Sequence, residues 1–170
     1  MIESFKGVSP VIAKSAYVHD TSVLIGKVKL AENVSIWPLA VLRGDVDEIV
    51  VGANSNIQDL VAVHVNFDTP AIIGENVTVG HSAVIHGAKI GNGCLIGMNA
   101  LVMESEIGDE CLIAGGTVIA PGKKIPPRSL VMGAPGKIIK TLTADEVKSL
   151  IKNNTDYYIE LARHYKGELK

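Results

Sequence analysis

The chain has 170 residues, enough for one domain with a substantial core, and couples 47 % hydrophobic residues and a mean hydropathy of +0.29 to only 4 % aromatics. A net charge of −2 and a pI near 6.2 argue against a nucleic-acid or anionic-membrane partner. No apolar run approaches a bilayer span and the amino terminus lacks a charged region followed by an apolar one, so the expectation is a cytoplasmic protein without a membrane segment.

From Ile12 onward, aliphatic residues recur in steps of six at Val18, Leu24, Leu30, Ile36 and Leu42. The series resumes at Val51, Ile57 and Val63, again at Ile73, Val79 and Ile85, and runs on to Val131. A period of six fits neither an α-helix nor a heptad, and a fixed internal period marks a repeat architecture. Aliphatic–Gly pairs such as Val51-Gly52, Val79-Gly80 and Ile96-Gly97 mark corners, where one residue plugs the interior and the next bends the chain. A narrow interior filled by stacked Ile, Val and Leu also explains the scarcity of aromatics. The spacing resembles the hexapeptide repeat of left-handed parallel β-helices. The expected fold is an all-β solenoid of about seven triangular coils over residues 1–135, with a linker and a C-terminal α-helix over 136–170 packed on it.

Trp37 and Pro38 are expected to pack at an interface. Two segments interrupt the period, nine residues from Leu42 to Val51 and ten from Val63 to Ile73. Both leave the same corner, one after Arg43 and the other after His64, and loops that break a rigid scaffold are where function concentrates. Cys94 and Cys111 share a coil position held elsewhere by Ala16, Val34, Ser55, Val77 and Ser129, which reads as a slot for small side chains and packed free thiols. G-A-P-G after Val131 ends the coils, and T-A-D-E from Thr143 is a capping box that opens a helix. Val147, Leu150, Ile151, Tyr158, Leu161, Ala162 and Tyr165 give that helix its apolar stripe.

Three of the five histidines, His64, His81 and His86, fall in one short window. His64 follows Val63 and His86 follows Ile85, so the two stack in one column, with Arg43 a coil below and Met103 a coil above. Adjacent coils are about 4.8 Å apart, close enough for two imidazoles to tilt toward one ion at about 2.1 Å. His81 is five residues from His86, roughly 16 Å of extended chain, and faces the other way. It completes the set only if a neighbouring subunit supplies it, so the register calls for an oligomer, and a threefold one places it well. Three His with an open fourth position suit a catalytic zinc, and also iron or cobalt. Gln58 and Asp59 lie one coil below Gly80 and His81, which puts Asp59 in position to orient the imidazole. Arg43 and Asp45, below His64, read as an intersubunit ion pair or an anion-binding element. His19 and His164 join no column and are expected to face solvent.

These residues resemble the γ-class carbonic anhydrase family, through R-G-D at residues 43–45, N-I-Q-D-L-V-A-V-H at 56–64 and G-H-S-A-V-I-H-G at 80–87. The resemblance implies a homotrimer with zinc sites at its subunit interfaces and reversible hydration of CO₂ to bicarbonate. His64 and His86 would come from one subunit and His81 from the next. Gln58 matches the residue that hydrogen-bonds the bound hydroxide or bicarbonate, Asp59 the acidic residue beside it, and Arg43 and Asp45 the trimer-interface pair. Tyr158 matches a helix tyrosine placed near the site, with Tyr157 as its neighbour and alternative. The family's archaeal prototype carries a long acidic loop with a proton-shuttling glutamate. Here the segment after His64 is short and has no Glu, and Arg43-Gly44-Asp45-Val46 lacks the family's second glutamate. Slow or buffer-dependent turnover is therefore expected. Two other readings remain open: a hexapeptide acyltransferase, whose ending G-A-P-G-K-I-I resembles, and a non-catalytic trimeric scaffold fastened by metal.

Overall fold

A solenoid coil closes only if the chain turns sharply at fixed intervals, and here the turns stack in columns. Residues 33, 54, 76, 93, 110 and 128 form one column, all with left-handed φ between 55° and 62°. Asn, which tolerates this conformation, fills the first three places. The side chains ladder, Asn33 Nδ2 donating to Asn54 Oδ1 at 3.1 Å and Asn54 Nδ2 to Asn76 Oδ1 at 3.3 Å. A second column holds Leu39, Leu60, Ser82, Asn99 and Gly116, again with positive φ. Leu is costly there, by about 1 kcal/mol or more, so Leu39 and Leu60 are held against their preference.

The computed structural model describes residues 1–169 and shows a parallel β-solenoid of about seven coils followed by one C-terminal helix. Short strands stack in parallel register on three faces. The first face carries Ser35–Ile36, Asn56–Ile57, Thr78–Val79, Leu95–Ile96 and Leu112–Ile113. The second carries Ala62–His64, Val84–His86, Leu101–Met103 and Val118–Ile119, and the third Ala71–Ile73, Lys89–Ile90, Glu106–Ile107 and Lys124–Ile125. The periodic aliphatics all point inward: Leu24, Leu42, Val63, Ile85, Val102 and Ile119 stack as one fully buried column. Each such side chain contributes roughly 1.5–3 kcal/mol by burial.

Three details differ from the sequence reading. The first interruption is not a loop: Val41–Val51 is one continuous strand that turns the corner through an irregularity opposite Gly26 and Val28. The backbone keeps its pairing and absorbs the extra residues as a bulge. The stretch expected as a linker contains Lys137–Thr141, an antiparallel strand against Ser129–Met132. Trp37, expected at an interface, is buried beneath the chain's own helix instead, ringed by Tyr17, Tyr158 and Tyr165 at 5.2–5.4 Å, while Pro38 beside it is half-buried.

The helix spans residues 144–165 and begins with the expected capping box, Thr143 Oγ1 accepting from Glu146 N while Glu146 accepts from Thr143 N. The Lys140 ammonium and this cap hold the Glu146 carboxyl below its usual range. Lys148–Lys152 form a π-helical turn, which adds a residue and rotates the stripe. Ile151, Thr155 and Ala162 are consequently buried, and Leu150 is left exposed. The cysteines are packed free thiols, Cys94 donating to Gly108 O and Cys111 to Pro126 O, each at 3.1 Å. Contact with Cys111, together with burial, pushes the Cys94 thiol far up.

Candidate metal centre

The second face ends at the corner where both period breaks occur, and its last outward row is Ile25, Arg43, His64, His86 and Met103 in direct register. Strand pairing forces His64 and His86 onto adjacent rungs on the same side of the sheet. Their rings lie 5.3 Å apart by centroid, with His64 Nδ1 3.3 Å from His86 Nε2. Two imidazoles on one tetrahedral ion with bonds of about 2.1 Å place their nitrogens about 3.4 Å apart. The separation of the two nitrogens thus matches the one a shared tetrahedral ion would require.

The opposite ring edges meet carboxylates. His64 Nε2 is 3.0 Å from Asp45 Oδ1, and Asp45 also accepts a hydrogen bond from Arg43. Burial opposes ionisation of Asp45, but the bonds from His64 and Arg43 outweigh it and hold the carboxyl below its usual range. Arg43 and Asp45 thus form an ion pair within one chain, tied to the first histidine. His86 Nδ1 is 3.9 Å from Glu104 Oε1, beyond hydrogen-bond range, and that oxygen accepts from Asn66 Nδ2 at 3.5 Å. Sequence reasoning missed Glu104. It stopped at Met103, the residue stacked on His86, whereas Glu104 turns back toward the histidine from a left-handed φ of 38°.

His81 sits at the other end of the same face, in the turn before Val84–His86. Its Nδ1 is 3.0 Å from Asp59 Oδ2, the column partner expected from the register. Gln58 is buried beneath it, accepting from His81 N at 3.2 Å and donating to Asn56 Oδ1 at 3.1 Å. Asn56 in turn donates to Thr78 Oγ1 at 2.8 Å, so the amide is fixed from below and retains one donor hydrogen. Tyr158 approaches from the helix: burial, then the charge on Asp59, raise its phenol above the ordinary value. Tyr157 is 58 % exposed and stacks edge-on against Tyr158, which makes Tyr158 the tyrosine that belongs to this cluster. His164 is exposed and the His19 ring bonds with Thr21, so neither joins the site.

The single chain therefore builds two half-sites at opposite edges of one face. Among the described residues, no group of three or more His, Cys, Asp or Glu side chains is arranged to hold an ion within one chain. Between the half-sites runs an outward row of Val23, Val41, Ala62, Val84, Leu101 and Val118. The first face turns its outward row to the helix, and the third carries Lys89, Glu106 and Lys124. The face between the histidine corners is thus the apolar one left uncovered.

Residues 70–103 match the family model described as bacterial transferase hexapeptide (six repeats). A probable carbonic anhydrase of Methanocaldococcus jannaschii is 43 % identical over 89 % of this chain and 95 % of its own length. The mitochondrial gamma carbonic anhydrase 2 of Arabidopsis thaliana is 36 % identical over 94 % of this chain, which spans 60 % of that longer protein. Among solved structures, a hexapeptide transferase family protein from Anaplasma phagocytophilum superposes with a TM-score of 0.92 at 35 % identity, covering 97 % of this chain and 98 % of that one.

Proposed function

The chain belongs to the γ-carbonic-anhydrase-like hexapeptide-repeat family, and from that premise we propose that it is a metal-dependent enzyme of CO₂ hydration, active as a homotrimer with its centres between subunits. The observation that carries the reading is the pair of half-sites: His64 and His86 with nitrogens 3.3 Å apart at one edge of an apolar face, and His81 at the other edge. Pairing that face with the corner of the next subunit buries the Val23–Val118 row and brings His81 to the histidine pair. A heterologous interface that closes into a ring of this kind is how identical chains complete a shared site.

Zinc fits the three nitrogen donors, with iron or cobalt as alternatives. When bound, the ion supplies Lewis acidity and a water activated near neutral pH. The chain's own residues do the rest. Asp45 and Asp59 would accept from His64 Nε2–H and His81 Nδ1–H, tautomers that would leave His64 Nδ1 and His81 Nε2 free to hold the ion. Gln58, locked by Asn56, would offer its remaining amide hydrogen to orient bicarbonate, and Tyr158 stands on the Asp59 side of the cluster. The proton released in each turnover must leave the site, and the short segment 65–70 carries Asp68 but no glutamate.

The test is metal analysis and CO₂ hydration on the same anaerobically purified sample. A trimer holding one ion per chain and active with zinc, iron or cobalt is the expected result. A metal-free trimer that transfers acyl groups would return the chain to the acyltransferases suggested by its family model. A metal-loaded trimer without activity would make it a scaffold. No described helix is long and apolar enough to cross a membrane.

A further inference from the structure

Beside the His64–Asp45 edge lies a cleft of about 330 Å³ that hydration of CO₂ does not require. Its walls are the turn at residues 5–8, the strand bulge at 44–46 and the loop after His64. The turn is closed by Phe5 N to Val8 O at 2.9 Å and Val8 N to Phe5 O at 3.0 Å. The loop is closed by Thr69 N to Asn66 O at 3.1 Å and by the Asn66 side chain on Phe67 N at 3.0 Å. Gly26 and Gly44 make the close approach possible. A Cβ on Gly26 would lie 2.5 Å from Gly44 O, and one on Gly44 would lie 2.6 Å from Lys27 O. The cleft is therefore built by the fold.

The lining is chemically divided. Phe5, Val46 and Phe67 supply apolar surface, and Phe67 stands 77 % exposed at the rim. Lys6 and Lys27 supply positive charge, Lys6 holding its ammonium 5.3 Å over the Phe5 ring. Neither lysine forms an ion pair among the described residues, whereas Asp45, the one acidic group in the lining, is already bonded to Arg43 and His64. Bicarbonate displaces only a few waters of about 30 Å³ each, whereas cavities for organic ligands begin near roughly 300 Å³.

We propose that this cleft binds a small organic carboxylate with an aromatic or branched apolar body, its anionic head between Lys6 and Lys27 and its body between Phe5 and Phe67. Because Asp45 belongs both to the lining and to the His64 bond, the occupant lies beside the ring edge of His64 that faces away from His86. The subsite goes beyond the hydration reading and needs no metal, so the two stand or fall separately.

Benzoate is the probe, titrated calorimetrically and by amide shifts into chelator-treated and metal-loaded protein at low salt. Saturable millimolar binding to both forms is expected, with acetate and benzyl alcohol each roughly tenfold weaker for want of the ring or the charge. Phe67→Ala and Lys27→Gln, both at exposed positions, should each weaken benzoate about fivefold, and His81→Ala should leave it unchanged. Absence of saturable binding overturns the proposal, as does affinity in both variants equal to that of the unaltered protein. Binding that requires metal and ignores both variants also overturns it, and leaves the metal reading intact. Intact benzoate binding in a protein that retains no metal would support the subsite and sink the metal centre.

Discussion

Replacing Asp59 with Asn separates what a carboxylate does for the fold from what it does for a ligand. The Asp59–His81 contact is 3.0 Å, but the two side chains are 40 % and 43 % exposed. In the metal-free protein, solvent screens the pair, and its loss should cost at most about 1 kcal/mol. For a chain of 170 residues that is a fall in Tm of roughly 2–4 °C or less. In the proposed metal-loaded trimer the same carboxylate would make His81 a better donor and fix the proton on Nδ1. Removing such a partner typically lowers metal affinity 10–100-fold, about 1.4–2.7 kcal/mol. Competition against a chromogenic chelator at neutral pH reads the affinity, and thermal unfolding of the chelated protein reads the fold. Glu104→Gln is the internal comparison: at 3.9 Å its carboxylate is beyond hydrogen-bond range of His86, so its loss of affinity should be smaller. Metal affinity of Asp59→Asn equal to that of the unaltered protein would refute the role of His81 as a ligand oriented by this pair.

His81→Ala should reduce metal retention as much as His64→Ala or His86→Ala, while His19→Ala leaves it unchanged; light scattering on the same samples checks that metal follows the trimer. Gln58→Ala should lower CO₂ hydration with metal content preserved, since Gln58 touches His81 through its backbone and is not a ligand. Small buffer bases such as imidazole should raise turnover in the unaltered enzyme, and a rate independent of buffer concentration would show that proton export is not limiting. Tyr17 and Tyr158 both lie above the ordinary phenol value of 10.0, chiefly through burial, so the fold favours their neutral forms. That contribution is complete below pH 10.0 and is lost as pH rises from there through the raised folded values. Urea unfolding between about pH 9 and 11 should show the decline, and Tyr158→Phe should lessen it.

The column logic was legible because a solenoid converts sequence spacing directly into register. His64 over Arg43 and under His86, and Asp59 under His81, all follow from counting from the corner aliphatics. What the count could not reach was anything set by conformation within a rung. Glu104 turns toward His86 only because its φ is positive, and the sequence M-E-S does not announce that. The break at residues 43–50 read as a loop because period alone cannot distinguish an insertion that leaves the sheet from one that stays paired around the corner. The helix stripe slipped for a similar reason: a single π-helical turn at Lys148–Lys152 moves burial to Thr155 and exposes Leu150. Trp37 was misplaced because an exposed apolar residue on a solenoid can be covered by a subunit or by the chain's own tail, and spacing says nothing about which.

The geometry of stacking also explains why such a site should need more than one chain. A column supplies donors about 4.8 Å apart on a line, and two neighbouring rungs can converge on one ion. A third rung cannot, because it would lie about 9.6 Å from the first, well beyond two metal–nitrogen bonds. Met103, on the rung above His86, shows the outcome: the column continues but the ligands stop. A third nitrogen must come from off the column, yet the rest of the same coil is held several residues away by the rigidity that aligned the first two. His81, on the far edge of the same face and bonded to Asp59, stands apart from its own pair, which is why the proposed site would take it from a second chain. In the proposed trimer, burial of the apolar row between the edges would supply association energy that its polar ends alone would not.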